Sequence, residues 1–142
     1  MNRNLYLTIR CLAGLSFVLY GCMTTDYVGK RAFPDMHKKF VKIYRDGDAA
    51  ENIPWKPKGV EVTDDDLRQT IGYMVLISGA LLILFKQFQL PCWLLLSVGV
   101  LSVYTHFTKN DPLYMILGGI SICITMFILL FAKPEEIHEK TE

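Results

Sequence analysis

The chain has 142 residues, 51% of them hydrophobic, and a formal net charge of +1. Its apolar residues come in long blocks rather than periodic stripes, which excludes an ordinary soluble domain and points to an all-α membrane protein. With charges balanced and no dense run of Lys or Arg, a nucleic-acid partner is excluded as well.

The four cysteines, Cys11, Cys22, Cys92 and Cys123, show no C-x-x-C spacing, and no His stands where it would complete a zinc site. In a four-helix topology Cys22 and Cys92 fall on opposite membrane faces and do not pair. They read as small buried hydrophobes, and no metal or cofactor is expected.

Taken in order, the first helix spans about 4–24. Arg3 and the apolar run Leu5 to Tyr20 resemble a signal peptide, but Arg10 interrupts the run and no A-x-A-like site follows. Leu19-Tyr20-Gly21-Cys22 only loosely fits a lipoprotein cleavage box, because Tyr20 is bulky. The block therefore reads as a retained helix, with Ala13, Gly14 and Gly21 as small residues that permit close helix approach. Arg10 lies about five residues inside it, roughly 7 Å, and either snorkels to the interface or faces the bundle.

The polar loop, 25–63, belongs to a polar segment, 25–68, whose nine acidic and nine basic residues balance in number but not in position. A helix starting near Pro34-Asp35 places Met36, Phe40, Ile43 and Tyr44 on one face, giving an amphipathic segment that lies on the membrane or packs on the bundle or a partner. Asp46-Gly47-Asp48 reads as a turn. Pro54 and Pro57 exclude a regular helix around Trp55, which reads as an interfacial anchor.

The second helix spans about 64–86. Thr63 and the three aspartates after it form a capping-box-like start beside the positive end of the helix dipole. Three consecutive helical carboxylates cannot all face one ion, which disfavours a metal site. Gly72 and Gly79 stand one heptad apart, and Ser78-Gly79-Ala80 makes a narrow surface. After a turn at Lys86 to Gln89, the third helix spans about 90–107, with Pro91 at its start and Trp93 and Tyr104 near the two interfaces. The turn Thr108-Lys109-Asn110-Asp111 offers Asp111 as N-cap and Pro112 as first helical residue of the fourth helix, about 112–132, which carries Gly118, Gly119 and Ser121. Lys133-Pro134 ends it, leaving a short tail, 133–142. The result is one domain, 1–142: a four transmembrane helix bundle with a polar first loop containing a short amphipathic helix, and no internal repeat is apparent. Parity puts both termini on one face, and counting Lys and Arg puts the loop in the cytoplasm.

Gly14 to Gly21 followed by a polar loop, Arg68-x-x-Ile71-Gly72 with Gly79 seven residues on, His106 before Asp111-Pro112-Leu113, and Ala132-Lys133-Pro134-Glu135 together resemble the transmembrane protein 35 branch of the DoxX-like superfamily. The resemblance covers nearly the whole chain. It implies a multi-pass endoplasmic-reticulum membrane protein with cytoplasmic termini and a luminal first loop, against the charge count. It also implies a non-enzymatic chaperone that promotes folding, assembly and surface delivery of nicotinic acetylcholine receptors. Where that branch carries Lys and Glu three residues after the glycines of its first two helices, this chain has Thr24 and Val75, so the intramembrane ion pair is missing.

Under that reading the partners are nicotinic acetylcholine receptor subunits and the lipid bilayer. Helix-facing glycines Gly72, Gly79, Gly118 and Gly119, with Phe40 and Trp55 of the loop, are the candidate contacts. The same glycines equally serve to hold the protein's own bundle together. Two other functions stand beside this one: a stable auxiliary subunit of a ligand-gated ion channel, and a DoxX-like membrane oxidoreductase subunit. The scattered cysteines and histidines supply little for the last. His106 and Asp111 form either a small interfacial proton site or a hydrogen bond within the turn.

Overall fold

The computed structural model describes residues 1–47, 50, 51, 59, 61–84 and 89–132. These form six helices: α1 (Arg3–Thr24), α2 (Asp26–Ala32), α3 (Pro34–Asp46), α4 (Asp64–Leu84), α5 (Leu90–Thr108) and α6 (Leu113–Phe131), with no strand among the described residues. Four of them, α1, α4, α5 and α6, are long and apolar enough to cross a membrane. The chain is thus a multi-pass membrane protein. Trp55, Lys86 and the tail lie outside the described residues.

Local chemistry explains most of the helix ends. Asn2 caps α1 by accepting from the Asn4 N–H at 2.9 Å. At α4 the expected capping box is present and reciprocal: the Asp66 N–H donates to Thr63 Oγ1 at 3.2 Å, and the Thr63 N–H donates to Asp66 Oδ2 at 3.3 Å. The start of α6 differs from expectation. The helix begins at Leu113, with Pro112 extended at the cap position and no side-chain cap bond. Asp111 does not cap because its carboxylate is taken by His106 Nδ1, 2.7 Å away. That bond closes the turn together with Asn110, whose φ of 53° is left-handed backbone that asparagine tolerates.

The polar loop holds more helix than expected. Thr25, extended at φ −83° and ψ 146°, breaks α1 from α2, a single short helix with Asp26 in its first turn and Lys30 and Arg31 in its last. That placement complements the helix dipole at both ends. The predicted amphipathic helix is α3, and its apolar face splits. Phe40 meets Tyr20 edge to face at 5.2 Å between ring centroids, and the Tyr44 hydroxyl lies 3.2 Å from that of Tyr20. Met36 and Ile43 stay exposed.

In the bundle α1 packs chiefly on α4 and α5 on α6; α4–α5 and lighter α1–α6 contacts close the ring. The core lies where the pairs meet, built from Val75, Leu82, Cys92, Leu95, Met126 and Leu129. Lipid tails are as apolar as leucine, so pairing of spanning helices depends on close backbone approach and interhelical hydrogen bonds. Both are present. A Cβ on Gly14 would stand 2.9 Å from the Gly79 carbonyl oxygen, one on Gly79 2.8 Å from that of Gly14, and one on Gly21 2.7 Å from that of Gly72. Gly99 and Gly119 repeat the arrangement between α5 and α6 at 3.3 and 3.1 Å. Tyr6 donates its hydroxyl to the Leu129 carbonyl at 3.0 Å, tying α1 to α6. All four cysteines are free thiols.

Candidate functional site

At the end of the bundle where α1 stops and α4 starts, α2 and α3 fold over a polar cluster centred on Arg68. Its side chain is 2% exposed. Nη1 donates to the Thr24 carbonyl, the last of α1, at 2.5 Å. Nη2 donates to Asp26 Oδ1 at 2.9 Å and lies 3.5 Å from Asp65 Oδ1. Nε has no partner. Asp26 is the hub on the other side. Its Oδ2 pairs with Lys30 at 3.3 Å, and its N–H donates to Gln69 Oε1 at 3.1 Å. His37 of α3 is buried beneath them. Its Nδ1 donates to the Met23 carbonyl at 3.0 Å, because a carbonyl only accepts. Its Nε2 stands 3.1 Å from Asp26 Oδ1 but off the line a hydrogen bond requires, and it is otherwise unsatisfied among the described residues. Arg45 adds an outer contact to Asp65 at 3.7 Å.

These neighbours set the charge state of Asp26. Burial pushes its carboxyl upward, but hydrogen bonds from Arg68 and Lys30 outweigh that and hold it below the ordinary 3.8. Tyr44 moves the other way: burial, reinforced by Tyr20, keeps its phenol protonated far above the ordinary range. The cluster is a charge-paired clamp that fixes α2 and α3 on the ends of α1 and α4. Buried ion pairs add little net stability, but removing one partner strands the other, so a clamp of this kind specifies geometry.

The opposite end holds a matching contact. Arg10 is buried, and its Nε donates to the Leu82 carbonyl in the last turn of α4. Of the two sequence readings for Arg10, the inward-facing one is observed. The two arginines expose a repeat that the bare sequence did not suggest: Arg10-x3-Gly14-x6-Gly21 in α1 and Arg68-x3-Gly72-x6-Gly79 in α4. In the antiparallel pair each glycine meets its counterpart, and each arginine reaches the carbonyl three residues beyond the partner's second glycine. A cation thus meets the negative end of each helix, where carbonyls lack intrahelical partners. The repeat escapes a linear reading because only three residues per helix recur, all on the buried face.

Of the sequence-derived contact residues, Gly72 and Gly79 lie in the α1–α4 seam and Gly119 in the α5–α6 seam, filled by the protein's own helices. Gly118 is open, with nothing within 4 Å of an added Cβ. Phe40 is engaged by Tyr20. Thr24 and Val75, the positions of the missing ion pair, are both buried, Val75 in the apolar core and Thr24 bonding the Tyr20 carbonyl through its hydroxyl. The sequence reading did not anticipate the Asp26, His37 and Arg68 cluster. One signal for it existed: Arg68, Gly72, Val75, Gly79 and Leu82 alternate at four and three residues, the spacing of one buried stripe.

Fold and site together define a four-helix membrane protein with a polar, helix-capped end. No family model matches the chain, and no curated protein matches it.

Proposed function

We propose that this protein is a non-enzymatic chaperone of the endoplasmic-reticulum membrane that holds unassembled membrane-protein subunits by helix–helix contact. One observation carries the proposal. While the seam glycines are occupied internally, α6 turns Gly118, Ser121 and Thr125, at successive spacings of three and four, along one face, with open space at Gly118. The Ser121 hydroxyl bonds the Gly118 carbonyl and the Thr125 hydroxyl bonds the Ser121 carbonyl, each at 2.8 Å. The face is therefore small and has its polar groups satisfied, a surface against which a client helix packs closely and from which it leaves without stranding a polar atom. The resemblance to the transmembrane protein 35 branch supplies the client class, nicotinic acetylcholine receptor subunits. It also supplies the orientation, with cytoplasmic termini and α2 and α3 facing the receptor's extracellular domain.

The test is surface binding of a labelled nicotinic antagonist in cells expressing receptor subunits, with and without this protein, at matched subunit synthesis. The wild type raises surface pentamers. Gly118→Leu abolishes the rise at unchanged chaperone abundance. No rise with wild type across several subunit types overturns the receptor assignment.

A further inference from the structure

The α2–α3 cap carries more positive charge than its clamp uses. A groove of about 420 Å³ runs along α3, lined by Lys30, His37, Lys38, Lys42, Arg45 and Asp46, with Pro34 and Val41 as its apolar floor. Of its four Lys and Arg side chains, Lys30 and Arg45 are engaged by Asp26 and Asp65, whereas Lys38 and Lys42 make no ion pair among the described residues. Asp46 is the one carboxylate on its wall. A second cavity of about 370 Å³, lined by Asp26, Tyr27, Lys30, Arg31 and Tyr73, shares Lys30 with the first. Arg31 lies over the Tyr27 ring at 5.0 Å.

The depth of both cavities limits what they meet. α3 touches α1 at Tyr20, four residues or about 6 Å before the end of that span. Tyr73 lies on α4, nine residues in from its start, and below it Ile77 and Leu84 continue an exposed apolar track on the same face. Two tyrosines, several cations and an apolar track below them are what the boundary between hydrocarbon and headgroups accommodates.

We infer that the α2–α3 cap is a binding site for the phosphate-bearing headgroup of an anionic phospholipid. The phosphomonoester of phosphatidic acid, the simplest such lipid, lies in the groove within reach of Lys38, Lys42 and the shared Lys30, and the acyl chains leave past Arg31 and Tyr73 along α4. Each lysine ammonium offers three donors to phosphate oxygens, which only accept, and the aliphatic stems cover the glycerol region. This site is separate from the α6 face and does not depend on the client reading.

The experiment uses the full chain reconstituted in phosphatidylcholine vesicles. Spin-labelled phosphatidic acid and phosphatidylcholine are compared by the motionally restricted fraction of their resonance spectra. Wild type prefers phosphatidic acid. Lys38→Gln and Lys42→Gln each lower that preference about fivefold, the worth of one basic residue at an anionic surface. Lys39→Gln, on the same helix but outside both cavities, leaves it unchanged. Neither groove variant touches an ion pair among the described residues, and unchanged helical circular dichroism checks their folding. Equal losses in all three variants, or no preference in wild type, overturn the site. Displacement of the lipid by millimolar inorganic phosphate overturns the lipid assignment in favour of a soluble anion.

Discussion

Replacing Gly79 with alanine adds one methyl group where α4 meets the backbone of α1 in their seam. That carbon falls 2.8 Å from the Gly14 carbonyl oxygen, 2.9 Å from Phe17 Cβ and 2.9 Å from the Val18 nitrogen. Two of these are backbone atoms, so no rotamer change relieves the overlap. Ordinary contact begins near 3.4 Å, so the helices must separate by about 0.6 Å, a gap that forfeits a quarter to a half of the dispersion along the seam. Overpacking of this kind costs about 1–3 kcal/mol, and the better helix propensity of alanine returns up to about 1 kcal/mol. The expected net loss is about 1–2 kcal/mol, read as a lower midpoint when the protein is unfolded by sodium dodecyl sulfate in mixed micelles. Gly14→Ala requires the same opening from the other side, so the double variant loses less than the two singles added together. Gly118→Ala, in open space, changes the midpoint by less than about 0.5 kcal/mol. A Gly79→Ala protein as stable as wild type, or strictly additive losses with Gly14→Ala, refutes the reciprocal seam. The larger Gly79→Leu lowers abundance as well, which separates a bundle-packing glycine from a client-facing one.

Two further outcomes follow from the clamp. Arg68→Met strands Asp26 with Lys30 alone and orphans the Thr24 carbonyl; the expected loss is roughly 3 kcal/mol, with faster amide exchange in α2 and α3 than in α5 and α6. Unchanged exchange in α2 and α3 counts against the clamp. Because the folded-state pKa of Asp26 is depressed, its contribution is fully present above the ordinary carboxylate value of 3.8 and is lost as pH falls through the lower folded value. Attachment of α2, followed by protease access, therefore keeps this contribution through neutral pH and loses it only in strong acid. In Asp26→Asn that acid step is absent, and retention of the full step in this variant assigns it to another carboxylate.

Much of the architecture was legible without coordinates, because a bilayer leaves few options. Uncharged blocks of spanning length must be helices, since only a helix satisfies every backbone group within one segment. The Thr63 and Asp66 box and the start of α3 at Pro34 were likewise readable, since capping and the fixed φ of proline act within a few residues. Asp111 was misread for an instructive reason. A carboxylate just before a helix is a good cap unless another donor competes, and His106, five residues earlier, becomes a competitor only once the turn has closed. The polar loop hid α2, a single short helix whose ends depend on Thr25 breaking the chain and on Asp26 meeting Arg68.

The site was legible in part. Gly14, Gly21, Gly72 and Gly79 were visible as small residues, but whether they faced a client or one another depended on pairing between α1 and α4, segments separated by the whole polar loop. Arg10 was undecided between interface and interior for the same reason. Arg68 sat on the heptad stripe of Gly72 and Gly79, yet nothing local linked it to Asp26 or His37.

The sequence by itself determined four apolar spans, the Thr63 and Asp66 capping box, an amphipathic third helix and near-neutral charge, because each follows from side chains within a few residues or from length against a bilayer. Tertiary structure alone decided which glycines are consumed in the seams and which stays open on α6. It also decided that Arg10 and Arg68 close opposite ends of one antiparallel pair, and that Lys38 and Lys42 line a groove without forming an ion pair among the described residues. Those outcomes rest on contacts between segments far apart in the chain, set by the one register that brings glycine backbone against glycine backbone.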